Sequence, residues 1–340
     1  MEGMTRQIEE AERALVEKPL LATSVERFTI IDEIKDEHAD LPQPLRFAKF
    51  MSILLSRVSV PLEEGDLIAG RCVDRVLTPE EEERFQSFLT SKSNPRGKII
   101  YDSGHCIYEW EYLLAHGFPG LRKKAEESLA KQTDEEKQNF LRGIIELYDA
   151  ICAFILRYAE AAREKGMTAL ADTLTSAATE KPETFRAALQ LLWIVTFIDC
   201  AYVTHNPTLT VGRLDVMLYP LYKREMAAGT LTREEAACLI TDYYCKHNLI
   251  MGRGEHQVGD ATNSTTFNRI LCFDAPQYLM LAGTDSEGKS AVNELTELFA
   301  ACIRPKFKIP LSWFDISRAW IKRIPLFGKP SRKRRLKVPP

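Results

Sequence analysis

Several things are scarce or missing in this chain, and each gap narrows what it can be. No uninterrupted apolar run in its 340 residues approaches the ~20 that a membrane-crossing helix needs. The N-terminal stretch MEGMTRQIEEAERAL is charged and amphipathic and lacks the apolar centre of a secretory leader, so the cytoplasm is the expected compartment. The eight cysteines are scattered singly, with no C-x-x-C pair and no Cys/His cluster at zinc or iron–sulfur spacing. No metal site is predicted, and the thiols read as reduced and mostly buried. No internal repeat is visible. After Asp315 there are nine Lys/Arg and no Asp or Glu, although the whole chain carries a net charge of −3; the preceding residues are therefore strongly acidic and the end unlike the rest.

What is present suits a soluble globular protein with a sizeable core. The chain is 45% hydrophobic and 27% charged, and its length allows one large domain or two small ones. Helical spacing runs through 4–16 and 45–57, and through 134–165 with Phe140, Ile144, Leu147, Ile151, Phe154, Ile155 and Tyr158 on one side. Thr78-Pro79-Glu80-Glu81 is a capped start, with Pro at the first helical position and acids in the first turn. Lys181-Pro182-Glu183-Thr184 opens FRAALQLLWIVTFIDCAYV, which is apolar nearly all round and so predicts a buried helix. Strand-like pieces fall at 66–69, 98–101, 269–273 and 278–281, the last two bounded by turn residues.

One stretch, VGRLDVMLYPLY at 211–222, combines several signals. Gly212 permits a sharp turn and Asp215 can cap the helix that follows. Met217, Leu218, Leu221 and Tyr222 form an apolar face, and Gly229 stands where a C-cap belongs. Thr232 with Glu235 then fits the S/T-x-x-E capping box. Taken alone this predicts two helices joined by a tight turn.

VGRLDVMLYPLYKREMAAGTLTREEAACLI resembles the glycyl radical enzymes, the pyruvate formate-lyase superfamily, in their G-R-x-D-Q-x-L/M-Y-P-Y/F-Y element and the helix start after it. Three further stretches agree in order. Asp102-Ser103-Gly104-His105-Cys106, continuing to LLAHGFPGL at 113–121, is similar to the family's Gly-His segment and the helix behind it. RAALQLLW at 186–193 resembles its A-L-Q-x-x-W helix, and LAGTDSEGKSAVNELT at 281–296 its turn and N-E-L-[ST] helix. The resemblance implies a helix-rich α/β fold, the N-terminal part of a ten-stranded β/α barrel, left incomplete. It places a partial family domain at 1–304 and leaves 305–340 as an unmatched basic tail, expected to be disordered or out of frame. It also implies a small-molecule substrate, a homodimer, and an activating enzyme with an iron–sulfur cluster and S-adenosylmethionine that installs a backbone glycyl radical. That radical passes hydrogen abstraction to a cysteine inside the barrel, a dry enclosure that protects it. No R-V-x-G-[YF] radical motif and no Gly-Cys loop occur in this sequence. The expectation is an N-terminal fragment that is inactive alone and binds no cofactor itself. The alternatives are one subunit of a split enzyme, paired with a separate C-terminal half, or a non-catalytic protein with a basic anion-binding tail. Neither membrane nor nucleic acid is an expected partner.

The resemblance puts His105 in a segment that faces substrate in some diol-dehydrating members, where a histidine can hold or move a proton. Their His-Ser pair corresponds to Pro207 and Thr208 here, which argues against the usual diol dehydratase and leaves Thr208 as a pocket candidate. The other reading of each is a core or loop residue. No catalytic residue is assigned: Cys106, Cys200 and Cys272 read as small buried hydrophobes, and Arg213 and Asp215 as structural. His247, Arg253, Glu255 and His256 fall in KHNLIMGRGEHQVGD, read as a solvated loop.

Overall fold

The computed structural model describes residues 2–17, 22–72, 78–81, 83–84, 106–203, 209–250, 277–307 and 311–315. Helices α1 (Glu2–Glu17), α2 (Ala22–Ile34) and α3 (Gln43–Arg57) come first, then an irregular segment to residue 72. Strand β1 (Cys106–Ile107) leads into α4 (Trp110–Leu129), α5 (Glu135–Glu164), α6 (Thr168–Thr179) and α7 (Phe185–Ile198), which continues as a π-helical turn, Asp199–Val203. Strand β2 (Leu209–Arg213) is followed by α8 (Leu214–Met217), α9 (Tyr219–Ala228) and α10 (Arg233–Ile250), and β3 (Gln277–Ala282) by α11 (Glu294–Ala301) and β4 (Leu311–Asp315).

The helices begin where side chains can satisfy free backbone N–H groups. Asp134 accepts from the Lys137 amide at 2.9 Å and Thr184 from the Ala187 amide at 3.1 Å. Reciprocal capping boxes form at Thr78/Glu81, Thr232/Glu235 and Asn293/Thr296. Gly229 ends α9 in the left-handed conformation expected of it. The span Phe185–Val203 is long and apolar enough to cross a membrane by composition, but 83% of it is buried within the protein, as its all-round apolarity predicts.

The four strands form one parallel sheet in the order β1-β2-β3-β4. Parallel neighbours need a crossover, and the intervening helices provide it. Leu209, Val211, Leu279 and Leu281 point to the helix-covered face and belong to the main core. The strand expected at 278–281 is thus the middle of β3. The pieces expected at 98–101 and 269–273 lie outside the described residues. The expected strand at 66–69 is not one: side chains, not a neighbouring strand, hold that backbone in place. Strand β4, which the sequence reading did not expect, pairs Leu311–Asp315 in register with Tyr278–Ala282.

The segment 63–72 is fixed by a buried polar network. Asp66 is the hub. Its carboxylate accepts from Gln7 Nε2 of α1 at 3.0 Å, from the Glu63 amide at 2.8 Å and from Lys246 Nζ of α10, and it pairs with Arg71 Nε at 3.3 Å. Arg71 clasps Glu10 of α1 through two parallel bonds of 2.9 Å. Asp242 Oδ2 of α10 accepts from the amides of Leu67 and Ile68 at 2.9 and 2.8 Å. Gln190 of α7 brackets Ala69, accepting from its N–H at 2.7 Å and donating to its carbonyl at 3.0 Å. Trp193 Nε1 donates to the Gly70 carbonyl at 2.7 Å; a Cβ on Gly70, at φ +105°, would stand 2.9 Å from that nitrogen, so only glycine fits. A side chain thus replaces nearly every hydrogen bond that a sheet ladder would have supplied.

Two predictions follow from the hub. Asp66→Ala leaves Lys246 and Arg71 as buried cations short of a partner, and should cost roughly 3–5 kcal/mol in urea unfolding; a loss under about 1 kcal/mol would show that the network does not hold the segment. Burial pushes the Asp242 carboxyl up to about 6, against the pull of Lys246. A carboxyl raised on folding adds stability at low pH and loses it as pH rises through about 6. Asp242→Asn should therefore gain on the wild type by about 1–3 kcal/mol between pH 4.5 and 7.5, and a difference independent of pH would contradict the assignment.

Candidate functional site

The site is the sheet face opposite the helices. Strand register sets its rows. Ile107 pairs with Thr210, Thr210 with Tyr278, and Tyr278 with Leu311, so one row crosses all four strands. Met280 pairs with Arg213 and with Trp313, giving a second row. The face is more open than its reverse: Ile107 is 68% exposed and Met280 44%, with Thr210 and Tyr278 half-buried, while Leu279 and Leu281 on the other side are shut away. All-parallel sheets are ordinarily covered on both faces, so an exposed apolar row on one is informative.

The region 211–222 sets the C-terminal end of this face. Gly212, at φ +72°, bends β2 into α8; a Cβ there would meet Met217 Cε at 3.3 Å and Trp110 Cδ1 at 3.5 Å. Trp110 Nε1 donates to the Thr210 carbonyl at 2.8 Å, tying α4 to β2. Asp215 does not cap its own helix, as its sequence position suggests. It is buried, and its Oδ2 accepts from the Ala282 amide at 2.8 Å and the Thr296 hydroxyl at 2.5 Å, while its backbone carbonyl accepts from Asn293 Nδ2 at 3.0 Å. Burial raises its pKa; the Thr296 and Ala282 bonds oppose this. Arg213 Nη1 donates to the carbonyls of Thr284 at 2.8 Å and Ala282 at 3.3 Å. The Arg-Leu-Asp run is therefore a clamp from β2 to β3 and α11, structural as expected.

Behind the N-terminal end of β3 is a second polar group that the sequence reading misplaced. His247 lies in no solvated loop but in the last turn of α10, wholly buried between the rings of Trp193 and Tyr243. Its Nδ1 is 3.1 Å from Gln277 Oε1, and Gln277 Nε2 donates to Cys200 Sγ at 3.5 Å. A carbonyl oxygen only accepts, so Nδ1 carries the proton and Nε2 is bare. Burial drives the His247 pKa down to about 3 and the Cys200 thiol well up. Both groups are neutral and unsuited to moving protons near pH 7. The clue available in the sequence was weak: after the Thr232/Glu235 capping box, 233–250 holds no Gly or Pro to stop the helix before His247.

His105 and Thr208 lie outside the described residues, as do Arg253, Glu255, His256 and Cys272. Each of the two pocket candidates immediately precedes a described strand, His105 before β1 and Thr208 before β2. Among the described residues no group of three His, Cys, Asp or Glu could hold a metal ion.

A family model described as pyruvate formate lyase-like matches residues 72–306. The (2S)-3-sulfopropanediol dehydratase of Klebsiella oxytoca is 24% identical over a match covering 81% of this chain and 41% of that protein. The isethionate sulfite-lyase of Bilophila wadsworthia is 27% identical, covering 64% of this chain and 27% of its own length. Among solved structures, a glycyl radical enzyme from Archaeoglobus fulgidus superposes with a TM-score of 0.75 at 20% identity, over 93% of this chain and 49% of that one. The B12-independent glycerol dehydratase from Clostridium butyricum gives 0.67 at 17% identity, over 87% and 45%. The chain spans less than half the length of each of these relatives.

The state of His247 is directly measurable. Its imidazole nitrogens should show the neutral Nδ1–H form by NMR from pH 8 down to pH 4, below the ordinary histidine range. A titration near pH 6.5 would mean that the ring is not enclosed as described.

Proposed function

Since the chain belongs to the pyruvate formate lyase-like family, whose matched relatives are glycyl radical enzymes, we propose that it forms the N-terminal portion of a radical lyase and is inactive by itself. The observation that carries this reading is the half-length match: 93% of the chain superposes on 49% of a glycyl radical enzyme. In this reading the exposed sheet face is one wall of a substrate chamber. Thr210 and Tyr278 offer hydroxyls for hydrogen bonding, and Ile107 and Met280 add exposed apolar surface beside them. His105 and Thr208, which immediately precede β1 and β2 in the sequence, are the proposed pocket residues. The substrate class is a small hydroxylated molecule undergoing elimination, in keeping with relatives named as dehydratases and a sulfite-lyase. Acyl transfer of the formate C-acetyltransferase kind is the other branch open to the family.

The residues present do not fit a radical centre. No R-V-x-G-[YF] run occurs in the sequence. Among the described residues, Cys72, Cys200, Cys245 and Cys302 are buried, and Cys152 and Cys238 are helical. No radical step is therefore assigned to these residues. The proposed parent is a cytoplasmic homodimer served by an iron–sulfur activating enzyme.

The test is electron paramagnetic resonance after anaerobic incubation with a family activating enzyme, S-adenosylmethionine and reductant. The expected spectrum shows no glycyl doublet, with no turnover of sulfopropanediol, isethionate or glycerol. A doublet would overturn the proposal.

A further inference from the structure

We infer that Cys238 and Cys302 form a thiol oxidation site: a peroxide converts Cys238 to a sulfenic acid, and Cys302 resolves it as a disulfide that ties α10 to the end of α11. The inference stands apart from the family reading, which gives these thiols no part.

Placement carries it. Cys302 is the C-cap of α11, and its Sγ donates across 3.6 Å to the Ala237 carbonyl oxygen of α10. A carbonyl oxygen and the next Cα lie about 2.8 Å apart across a planar trans peptide. The Cys302 sulfur is therefore no more than about 6.4 Å from the Cα of Cys238. Disulfides join Cα atoms about 4.4–6.8 Å apart, so rotation of both side chains and a small shift at the end of α11 bring the sulfurs together. Little holds the Cys302 thiol back. Its acceptor is already served by Thr241 Oγ1 at 2.8 Å, and S–H is a weak donor.

The two thiols also differ as a two-step oxidation requires. Cys238 is only partly buried, whereas Cys302 is 7% exposed, so a small peroxide in solvent meets Cys238 first. Burial pushes the Cys302 pKa up, but the Thr241 hydroxyl, Arg304 and Arg233 favour its thiolate, and the nearby Cys238 opposes it. With hydrogen peroxide as oxidant the chemistry balances. The Cys238 thiolate attacks one peroxide oxygen, the O–O bond breaks, and the departing hydroxide leaves as water. The Cys302 thiolate then attacks the Cys238 sulfur, the S–O bond breaks, and a second water departs. The two thiols lose two electrons and two protons, and one peroxide is reduced to two waters. The bond closes a loop that contains all of β3 and so fastens together the helices on either side of that strand in the chain.

The experiment treats the full folded chain with a small excess of hydrogen peroxide, alkylates the remaining thiols in denaturant and maps the peptides by mass spectrometry without reduction. The expected product is a linked pair of peptides carrying Cys238 and Cys302, lighter by two hydrogens, released by dithiothreitol and formed at least about ten-fold faster than any other cysteine pair. Cys302→Ser should leave Cys238 as a sulfenic acid that dimedone traps. Cys238→Ser should leave Cys302 a free thiol at the same dose, and Cys152→Ser, on α5, should leave the cross-link unchanged. The wild-type map decides even where a variant does not fold. Cys238 carried on to a sulfinic acid with Cys302 still alkylated overturns the proposal. So does linkage of either thiol to another cysteine or to a second chain, or a dose that oxidises methionine and leaves both thiols free.

Discussion

The carboxylate of Asp66 is the constraint on which the rest depends. It lies fully inside the protein, where an isolated charge is very costly. It is tolerated because Lys246, Arg71, Gln7 and the Glu63 amide converge on it from α10, from its own segment and from α1. Those partners are themselves held: Arg71 by Glu10, and Lys246 near Asp242. The result joins three pieces far apart in sequence. It also explains how α10, with Thr241, Asp242, Lys246, His247 and Asn248 all buried, can run through a core: each of these polar groups has a bond to something other than water. The near-equal count of buried opposite charges lets Asp66 stay ionised, held below the usual carboxylate range by Lys246 and Arg71 despite its burial, while Asp242 is driven upward.

That network fixes α10, and α10 in turn sets what lies beneath the sheet. His247 orients Gln277 at the start of β3, and the Arg213–Asp215 clamp orients its end. One face of the sheet is thereby locked against helices by polar ties at both ends and by Leu209, Val211, Leu279 and Leu281 between them. The other face carries the openness. Rigidity behind and exposure in front are what a chamber wall requires, because groups on a scaffold element are placed more accurately than groups on a loop. Among the described residues, Ile107 and Met280 make that openness apolar.

Much of the helical scaffold was legible in the sequence, and so was the family. The caps at Asp134, Thr184 and Thr232 act locally, within three residues, so a linear reading finds them. The resemblance rested on stretches that the structure makes into joints: Asn293 and Thr296 of the N-E-L-[ST] helix both reach Asp215 of the Arg-Leu-Asp element. What escaped was long-range. The segment 66–69 has the composition of a strand but bonds to side chains over 120 residues away in sequence. Asp215 looked like a cap because the partners that claim its carboxylate come from 67 and 81 residues downstream. His247 looked solvated because the glycines that follow it mask the end of a helix. Strand β4 escaped because a basic composition beyond it coloured the reading of the whole stretch. The pocket candidates His105 and Thr208 stand as proposals.

The measurement that tests the central claim most directly is the oxidation rate of individual methionines by dilute peroxide, read by peptide mass spectrometry on the folded chain. Thioether oxidation follows exposure. Met280 lies on the open face and is 44% exposed, while Met51 lies in the α3 core at 0%. Met280 should oxidise at least about ten-fold faster than Met51, with the fold intact. Equal protection of the two would mean that the face is covered, and the account of an open sheet face would be wrong.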